Sequence, residues 1–218
     1  SWRSWLLGCG EFGARNAERG TRSAELGTWS KECGALRVSG DLPFVPSSEF
    51  RVPRSGYASI MDRTAIDAYA AQADELKSWI AGLTRDQLNA HPVPGTWSIA
   101  QCVFHTLDSD LVATDRMKRI AAMDLPLLMN YDESRYAGLL AYDKRTPAHA
   151  CELFAMNRRH TAEMLANLPD EAFERQGVHS VRGLISLGSL VTGYVDHVLH
   201  HKKFVIEKRM ALGRPLGA

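Results

Sequence analysis

The sequence has no excess of charge of either sign and no long apolar run. It contains 26 lysines and arginines and 25 aspartates and glutamates, mixed along the chain, for a formal net charge of +1. A protein that binds DNA or RNA usually carries a basic patch or stripe, and no such cluster stands out here. No apolar run approaches the roughly 20 residues that span a bilayer. We therefore expect a soluble protein with neither a nucleic-acid nor a membrane partner.

Cysteine is scarce as well. The four cysteines are scattered, and no two of them form a CxxC pair: Cys9, Cys33, Cys102 and Cys151. This spacing argues against a dense disulfide framework or a cysteine-rich zinc site. It predicts free thiols in a reducing compartment, so we expect a cytoplasmic protein.

Residues 1–60 lack histidine and methionine, although they hold 8 of the 17 glycines and 3 of the 5 tryptophans. Apolar residues in this stretch follow no sustained period, whereas helical periodicity starts soon after Met61. We interpret residues 1–60 as a disordered extension or a misassigned start. Residues 61–218 are then the folded domain.

The sequence beyond residue 60 contains no convincing β-strand, and its apolar residues recur at helical spacing. Ser98 with Gln101, and Thr64 with Asp67, resemble the capping arrangements that open helices. The pattern predicts an all-α four-helix bundle. Its helices are expected at about 64–83, 98–122, 147–168 and 186–210.

Three connections join these helices. Pro92, Pro94 and Gly95 argue against regular structure in 84–98. The other two connections, 123–146 and 169–183, are long, and the first includes a candidate short helix near 133–141. Connections longer than about 12–15 residues often serve as lids or binding loops.

The last predicted helix carries His197 and His201 four residues apart, so both imidazoles project from one face. Apolar residues share this face, which should therefore turn inward. A catalytic zinc-type site takes three protein ligands and keeps one open position. His105, in the middle of the second helix, is the best candidate for the third ligand. The alternative is that all three are core-edge histidines bonded to polar neighbours.

Two familiar metal motifs are missing. Val198 stands where a zinc peptidase of the HExxH type has its glutamate base, so that chemistry is not supported. The Glu-x-x-His pairs of ferritin-like di-iron proteins are also absent.

Three segments resemble the DinB/YfiT-like superfamily of metal-binding four-helix bundles: 97-WSIAQCVFHTLDSD-110, 131-YDESRYA-137 and 194-YVDHVLHHKKFVIEKR-209. The resemblance covers about residues 62–212. It implies an up-down-down-up bundle, often a homodimer, with a divalent metal held by three histidines. Carried over residue by residue, those ligands fall on His105, His197 and His201. Members of the family include transferases and isomerases that use low-molecular-weight thiols, and hydrolases without an established substrate.

We therefore predict a metal-dependent enzyme, a hydrolase or a thiol transferase, that activates water or a small thiol toward a small-molecule substrate. The alternative is a non-catalytic bundle, stress-associated, that binds a metal or small ligand and is stabilised by it. Three imidazoles suit zinc or nickel best, and iron or copper as well.

Four other side chains are candidates for supporting roles. Asp108 could orient a ligand histidine by accepting its second ring N–H, or it could be a solvated helix carboxylate. Tyr131 and Tyr194 could contact substrate or donate to a developing negative charge, or they could simply pack in the bundle. Arg158 could pair with an anionic substrate or form a structural ion pair.

Overall fold

The computed structural model describes residues 63–217. The predictions for residues 1–60 lie outside this range. Within it, the fold is a four-helix bundle, as predicted, with α1 and α2 together standing in the place of one long helix. The helices are α1 (Thr64–Ala71), α2 (Glu75–Ile80), α3 (Arg85–Asn89), α4 (Ile99–Ala122), α5 (Glu133–Leu139), α6 (Pro147–Ala166) and α7 (Leu187–Ala211).

The two longest helices, α4 and α7, begin where the sequence has capping residues. Ser98 accepts a hydrogen bond from the Gln101 amide, and the Gln101 side chain bonds back to the Ser98 amide, so the predicted capping box at α4 is confirmed. Ser186 caps α7 through a single hydrogen bond, which its side chain accepts from the Ser189 amide. No helix among residues 63–217 is both long and apolar enough to cross a membrane.

The prediction of one continuous helix over 64–83 is wrong. The chain turns between α1 and α2, and α1 starts without a side-chain cap, since Arg63 occupies the N-cap position. Gln72 lies in the break, where its amide donates to the Val195 carbonyl and accepts from Arg158. These tertiary hydrogen bonds hold the side chain of Gln72 toward the core. Both partners are distant in the sequence, so local apolar periodicity could not predict the break.

The 84–98 connection contains a short helix that the prolines did not suggest. Thr84 and Gln87 form a capping box at the start of α3. The helix ends at Asn89, before the first proline, so the proline signal was correct only for the second half of this connection.

The prediction that no strands are present is also wrong. A small sheet joins the two long connections: β1 (Leu127–Leu128), β2 (Gln176–His179) and β3 (Gly183–Ser186). Strand β1 pairs with β2 in parallel, and β2 with β3 antiparallel. A Cβ at Gly177 would lie 2.9 Å from Leu128 Cδ1, so glycine allows β1 and β2 to approach. Strands of two to four residues are too short to show alternation in the sequence.

The apolar core consists of two clusters, and polar residues occupy the boundary between them. On α4, Ile99 to Leu107 contribute to one cluster, and Ala113 to Ile120 contribute to the other. His105 lies close to this change on α4. The bundle therefore buries polar groups at its middle, where two hydrophobic clusters meet.

Candidate metal centre

The structure brings the three predicted histidines together. His105 projects from α4, and His197 and His201 project from α7, and all three are buried. The Nε2 atom of His197 lies 3.3 Å from Nε2 of His105 and 3.1 Å from Nε2 of His201. One nitrogen from each ring lies within 4.8 Å of the other two. Residues 92 positions apart in the sequence thus present a single cluster of nitrogen atoms.

The donor set fits a divalent metal ion. Ligand nitrogens about 2.0–2.1 Å from a tetrahedral ion lie roughly 3.4 Å from one another, close to the two Nε2 distances here. Burial lowers the pKa of His105 to about 3, with His200 adding to the effect. Burial first, and then neighbouring imidazoles, hold the pKa values of His197 and His201 well below the usual range. All three rings are therefore neutral at pH 7, which is the form that binds a metal.

Trp97 covers one side of this cluster. Its ring lies parallel to that of His201, with an interplanar angle of 5° and centroids 6.4 Å apart, and 4.9 Å from the ring of His105. Because Trp97 directly precedes the capping residue Ser98, the start of α4 fixes its position. The indole therefore lies against the imidazoles of His105 and His201.

Glu133 is a site residue that the sequence interpretation missed. Its Oε2 lies 3.8 Å from His105 Nε2, and its side chain is 34% exposed, so this carboxylate contacts both the cluster and solvent. It is the first residue of α5, which Asp132 caps. Burial and then the Asp132 charge raise the pKa of Glu133. Glu133 lies in the 131–137 segment, which carries part of the family resemblance, but only Tyr131 of that segment was named as a candidate site residue.

Asp108 accepts a hydrogen bond from a tyrosine. Tyr142 donates a hydrogen bond from its hydroxyl to Asp108 Oδ2 at 2.5 Å. No hydrogen bond links Asp108 to a ligand histidine among residues 63–217, and His201 Nδ1 is buried without a hydrogen-bond partner there. A direct orienting role for Asp108 stays a prediction, whereas its contact with Tyr142 ties α4 to the 123–146 connection.

Of the two candidate tyrosines, Tyr194 contacts one of the three clustered histidines, and Tyr131 packs against Tyr136. The Tyr194 ring packs edge-on against His197 with centroids 5.8 Å apart, and its hydroxyl accepts from Arg116 Nη1 at 3.3 Å. Tyr131 is half-buried, and its ring lies 4.9 Å from that of Tyr136. Burial raises the pKa of both Tyr131 and Tyr194, so both hydroxyls keep their protons at neutral pH.

Arg158 forms a buried ion pair. Its Nη2 lies 2.9 Å from Asp110 Oδ1 and donates to the Tyr194 carbonyl, while Nη1 donates to Gln72 Oε1 at 2.7 Å. The guanidinium also stacks over the Tyr69 ring at 3.9 Å. Of the two roles considered for Arg158, these contacts favour the structural one.

Comparison with known proteins agrees with this geometry. The family model of the DinB superfamily matches residues 68–205, more than half of the chain. A Bacillus subtilis protein named YfiT, an inferred metal-dependent hydrolase, is 24% identical over 169 residues, covering 77% of this chain and 94% of its own length. An Oceanobacillus iheyensis protein named in the same way is 29% identical over 126 residues, covering 58% of this chain and 73% of its own length.

The solved structure of Bacillus subtilis YfiT has the same fold. It aligns with a TM-score of 0.67 at 24% sequence identity, and the match covers 74% of this chain and 93% of that one. YfiT is described as a four-helix bundle of unusual topology. The chain therefore belongs to the DinB superfamily.

Proposed function

We propose that residues 63–217 form a metal-dependent hydrolase domain in which His105, His197 and His201 hold one divalent ion. The observation that carries this proposal is the cluster of three buried, neutral imidazoles beside a partly exposed carboxylate. A divalent ion bound there would polarise the substrate and lower the pKa of a water molecule toward about 7. Zinc and nickel are the ions that we favour.

The chain's own side chains divide the remaining work. The three histidines would hold the ion, and the indole of Trp97 packs against the rings of His105 and His201. Glu133 Oε2 lies 3.8 Å from His105 Nε2 and is partly exposed to solvent, so it can accept the proton of an attacking water and pass it to the leaving group. The sequence offered no general base, and Glu133 fills that role in the proposal.

An open coordination position separates an enzyme from a purely structural metal site. The cluster found among residues 63–217 has three candidate ligand residues and no fourth. This supports catalysis over the non-catalytic alternative. The names of the relatives, inferred metal-dependent hydrolases, support hydrolysis over thiol transfer. The thiol cosubstrate, the homodimer and the cytoplasmic location stay predictions.

Elemental analysis of the purified full chain and of His201→Ala tests the metal site. We expect about one divalent ion per wild-type chain. The variant should lose nearly all of it, because the two remaining imidazoles are fewer than the three protein ligands that such a site needs. His160→Ala is the matched control, because His160 is an exposed histidine on α6. An unchanged metal content in His201→Ala would refute the ligand assignment.

A hydrolysis screen with ester and amide substrates, with and without small thiols, tests the chemistry. Glu133→Gln should keep its metal but lose about 10²–10⁴-fold in hydrolysis, which is the usual contribution of a positioned base. Turnover that requires a thiol would contradict hydrolysis and select thiol transfer. A wild-type rate in Glu133→Gln would remove Glu133 from the mechanism.

A further inference from the structure

A second buried polar cluster lies next to the metal centre. It combines residues of α4 and α7 with residues of both long connections. We call it the Arg116 cluster: Ser109, Arg116, Tyr131, Arg182 and Tyr194. Because it is built from the same helices as the metal ligands, its contents bear on what the metal centre can bind.

Arg116 is the residue that most needs an explanation. Its side chain is almost completely buried. Nη2 donates to the Met129 carbonyl at 2.5 Å and Nη1 donates to the Tyr194 hydroxyl, and both acceptors are uncharged. Nε is buried without an acceptor, and no carboxylate pairs with Arg116 in the described part of the chain. Burying a cation without a counter-ion costs folding free energy, and an anionic ligand bound beside Arg116 would offset that cost.

Two hydroxyl groups point to the same ligand. The Ser109 and Tyr131 hydroxyls are buried, and neither forms a hydrogen bond of acceptable geometry within residues 63–217. Ser109 and Arg116 lie seven residues apart on the same face of α4, and Arg116 donates to the carbonyl of Met129, two residues before Tyr131. One N–H and two O–H donors are thus available in one place.

Arg182 adds a second positive charge from the turn between β2 and β3. It is half-buried, and burial lowers the pKa of its guanidinium, with the nearby charge of Arg116 contributing. Asp110, the carboxylate that faces Tyr194 in this region, is already paired with Arg158. Glu133 faces Tyr131 from α5. The charge of Arg116, which no carboxylate compensates within residues 63–217, therefore favours a negatively charged occupant.

We propose that the Arg116 cluster binds an oxyanion group of the substrate, a carboxylate or a phosphate, with Arg116 Nε and the Tyr131 and Ser109 hydroxyls as donors. The Tyr194 side chain connects this subsite to the metal centre, since its hydroxyl accepts from Arg116 and its ring contacts that of His197. The substrate class is thus a small anionic molecule whose scissile bond lies near its charged group. This last step rests on the proposed function, whereas anion binding itself does not.

The test measures anion binding to the full chain after metal removal by a chelator, so that the ion cannot act as the receptor. Acetate and inorganic phosphate are titrated separately, by calorimetry and by the rise in Tm that a ligand of the native state produces. We expect saturable binding at one site per chain. The preferred probe identifies the oxyanion as carboxylate or phosphate. Failure of both probes to bind the wild-type chain would overturn the proposal.

Arg116→Gln should weaken binding of the preferred probe by about 10–100-fold, the range for a hydrogen bond to a charged group. The matched control is Arg119→Gln, which removes one charge from the same helix at an exposed position. Its affinity should stay within about twofold of wild type. Equal weakening in both variants would show that only net charge matters and would refute the subsite.

Two smaller changes keep the test decisive if Arg116→Gln does not fold. Tyr131→Phe and Ser109→Ala each remove one hydroxyl, and each should weaken binding by about tenfold. Unchanged affinity in both folded variants would refute the proposed donors. A chain that binds acetate or phosphate without metal but hydrolyses nothing contradicts the proposed function and leaves this inference intact.

Discussion

Two arginines are buried in the middle of the bundle, and their surroundings differ. Arg158 is fully buried and pairs with Asp110, a carboxylate that also accepts from Tyr69 and Asn157. Arg116 is 2% exposed and, within residues 63–217, donates only to a backbone carbonyl and a tyrosine hydroxyl. One guanidinium thus has its counter-ion within the bundle, and the other has none among residues 63–217.

The difference separates structure from function. The contacts of Arg158 connect α1, α4, α6 and α7 through Tyr69, Asp110 and Tyr194, so its charge holds the bundle together. Burial raises the pKa of Asp110, and Arg158, Asn157 and Tyr69 oppose that shift. Arg116 holds a connection against α4 and leaves Nε for another partner. A buried polar group is evidence for a ligand only when its hydrogen bonds are incomplete.

The largest expected effect comes from removing the paired arginine. Arg158→Met should lower the free energy of unfolding of the metal-free protein by about 3–5 kcal/mol, because Asp110 is left as an uncompensated buried charge. Urea denaturation measures this loss. The double variant Arg158→Met with Asp110→Leu should recover part of the stability. A loss below about 1 kcal/mol in the single variant would contradict the structural role.

A smaller effect is expected at the other arginine. Arg116→Gln should cost about 1–2 kcal/mol in the same measurement, since only hydrogen bonds to uncharged acceptors are lost. A loss equal to that of Arg158→Met would mean that Arg116 also serves mainly to hold the bundle together. The contrast between the two buried arginines would then fail.

The smallest effect concerns pH. His179 is buried near Arg116 and Arg182, and its Nδ1 accepts from the Val181 and Arg182 amides. Burial, and then these two positive charges, lower the pKa of His179 to about 4, below the value of about 6.5 expected in the unfolded chain. The unfolded state therefore binds a proton that the folded state does not, and stability falls as pH drops from about 6.5 to 4.

His179→Asn removes this titration while keeping an acceptor for the turn. Between pH 7 and 5 the metal-free variant should lose about 1–2 kcal/mol less stability than wild type. His105, His197 and His201 titrate in both proteins, so their contribution cancels in the comparison. If the stability of wild type and of His179→Asn changed in parallel with pH, the pKa of His179 would be the same in the folded and unfolded chain. Burial and the charges of Arg116 and Arg182 would then not lower it.

The sequence predicted what depends on local spacing. The 197–201 pair and the Ser98 capping box follow from helical geometry, and long apolar periodicity gave α4, α6 and α7 nearly to the residue. His105 could be chosen because few histidines lie mid-helix on an inward face. What local spacing cannot report is pairing across the fold.

The remaining errors have that physical origin. The break at Gln72 depends on Arg158 and Val195, both far away in the sequence. Glu133 joins the site only through the packing of α5 beside His105, a contact that its position in the sequence does not indicate. Arg116 reads as one of many charged helix residues, and only its burial and its incomplete hydrogen bonds single it out.

The pairing of β1 with β2 has a consequence for the order of folding. Leu127 and Val178 lie on opposite sides of α6 in the sequence, so their contact closes a long loop. Such contacts form late in folding, because the chain loses the entropy of closing the loop before the contact adds any stability. Mutations in β1 should then speed unfolding more than they slow folding. We therefore expect the connections that carry Tyr131 and Arg182 to become ordered after the helices have packed and brought the three histidines together.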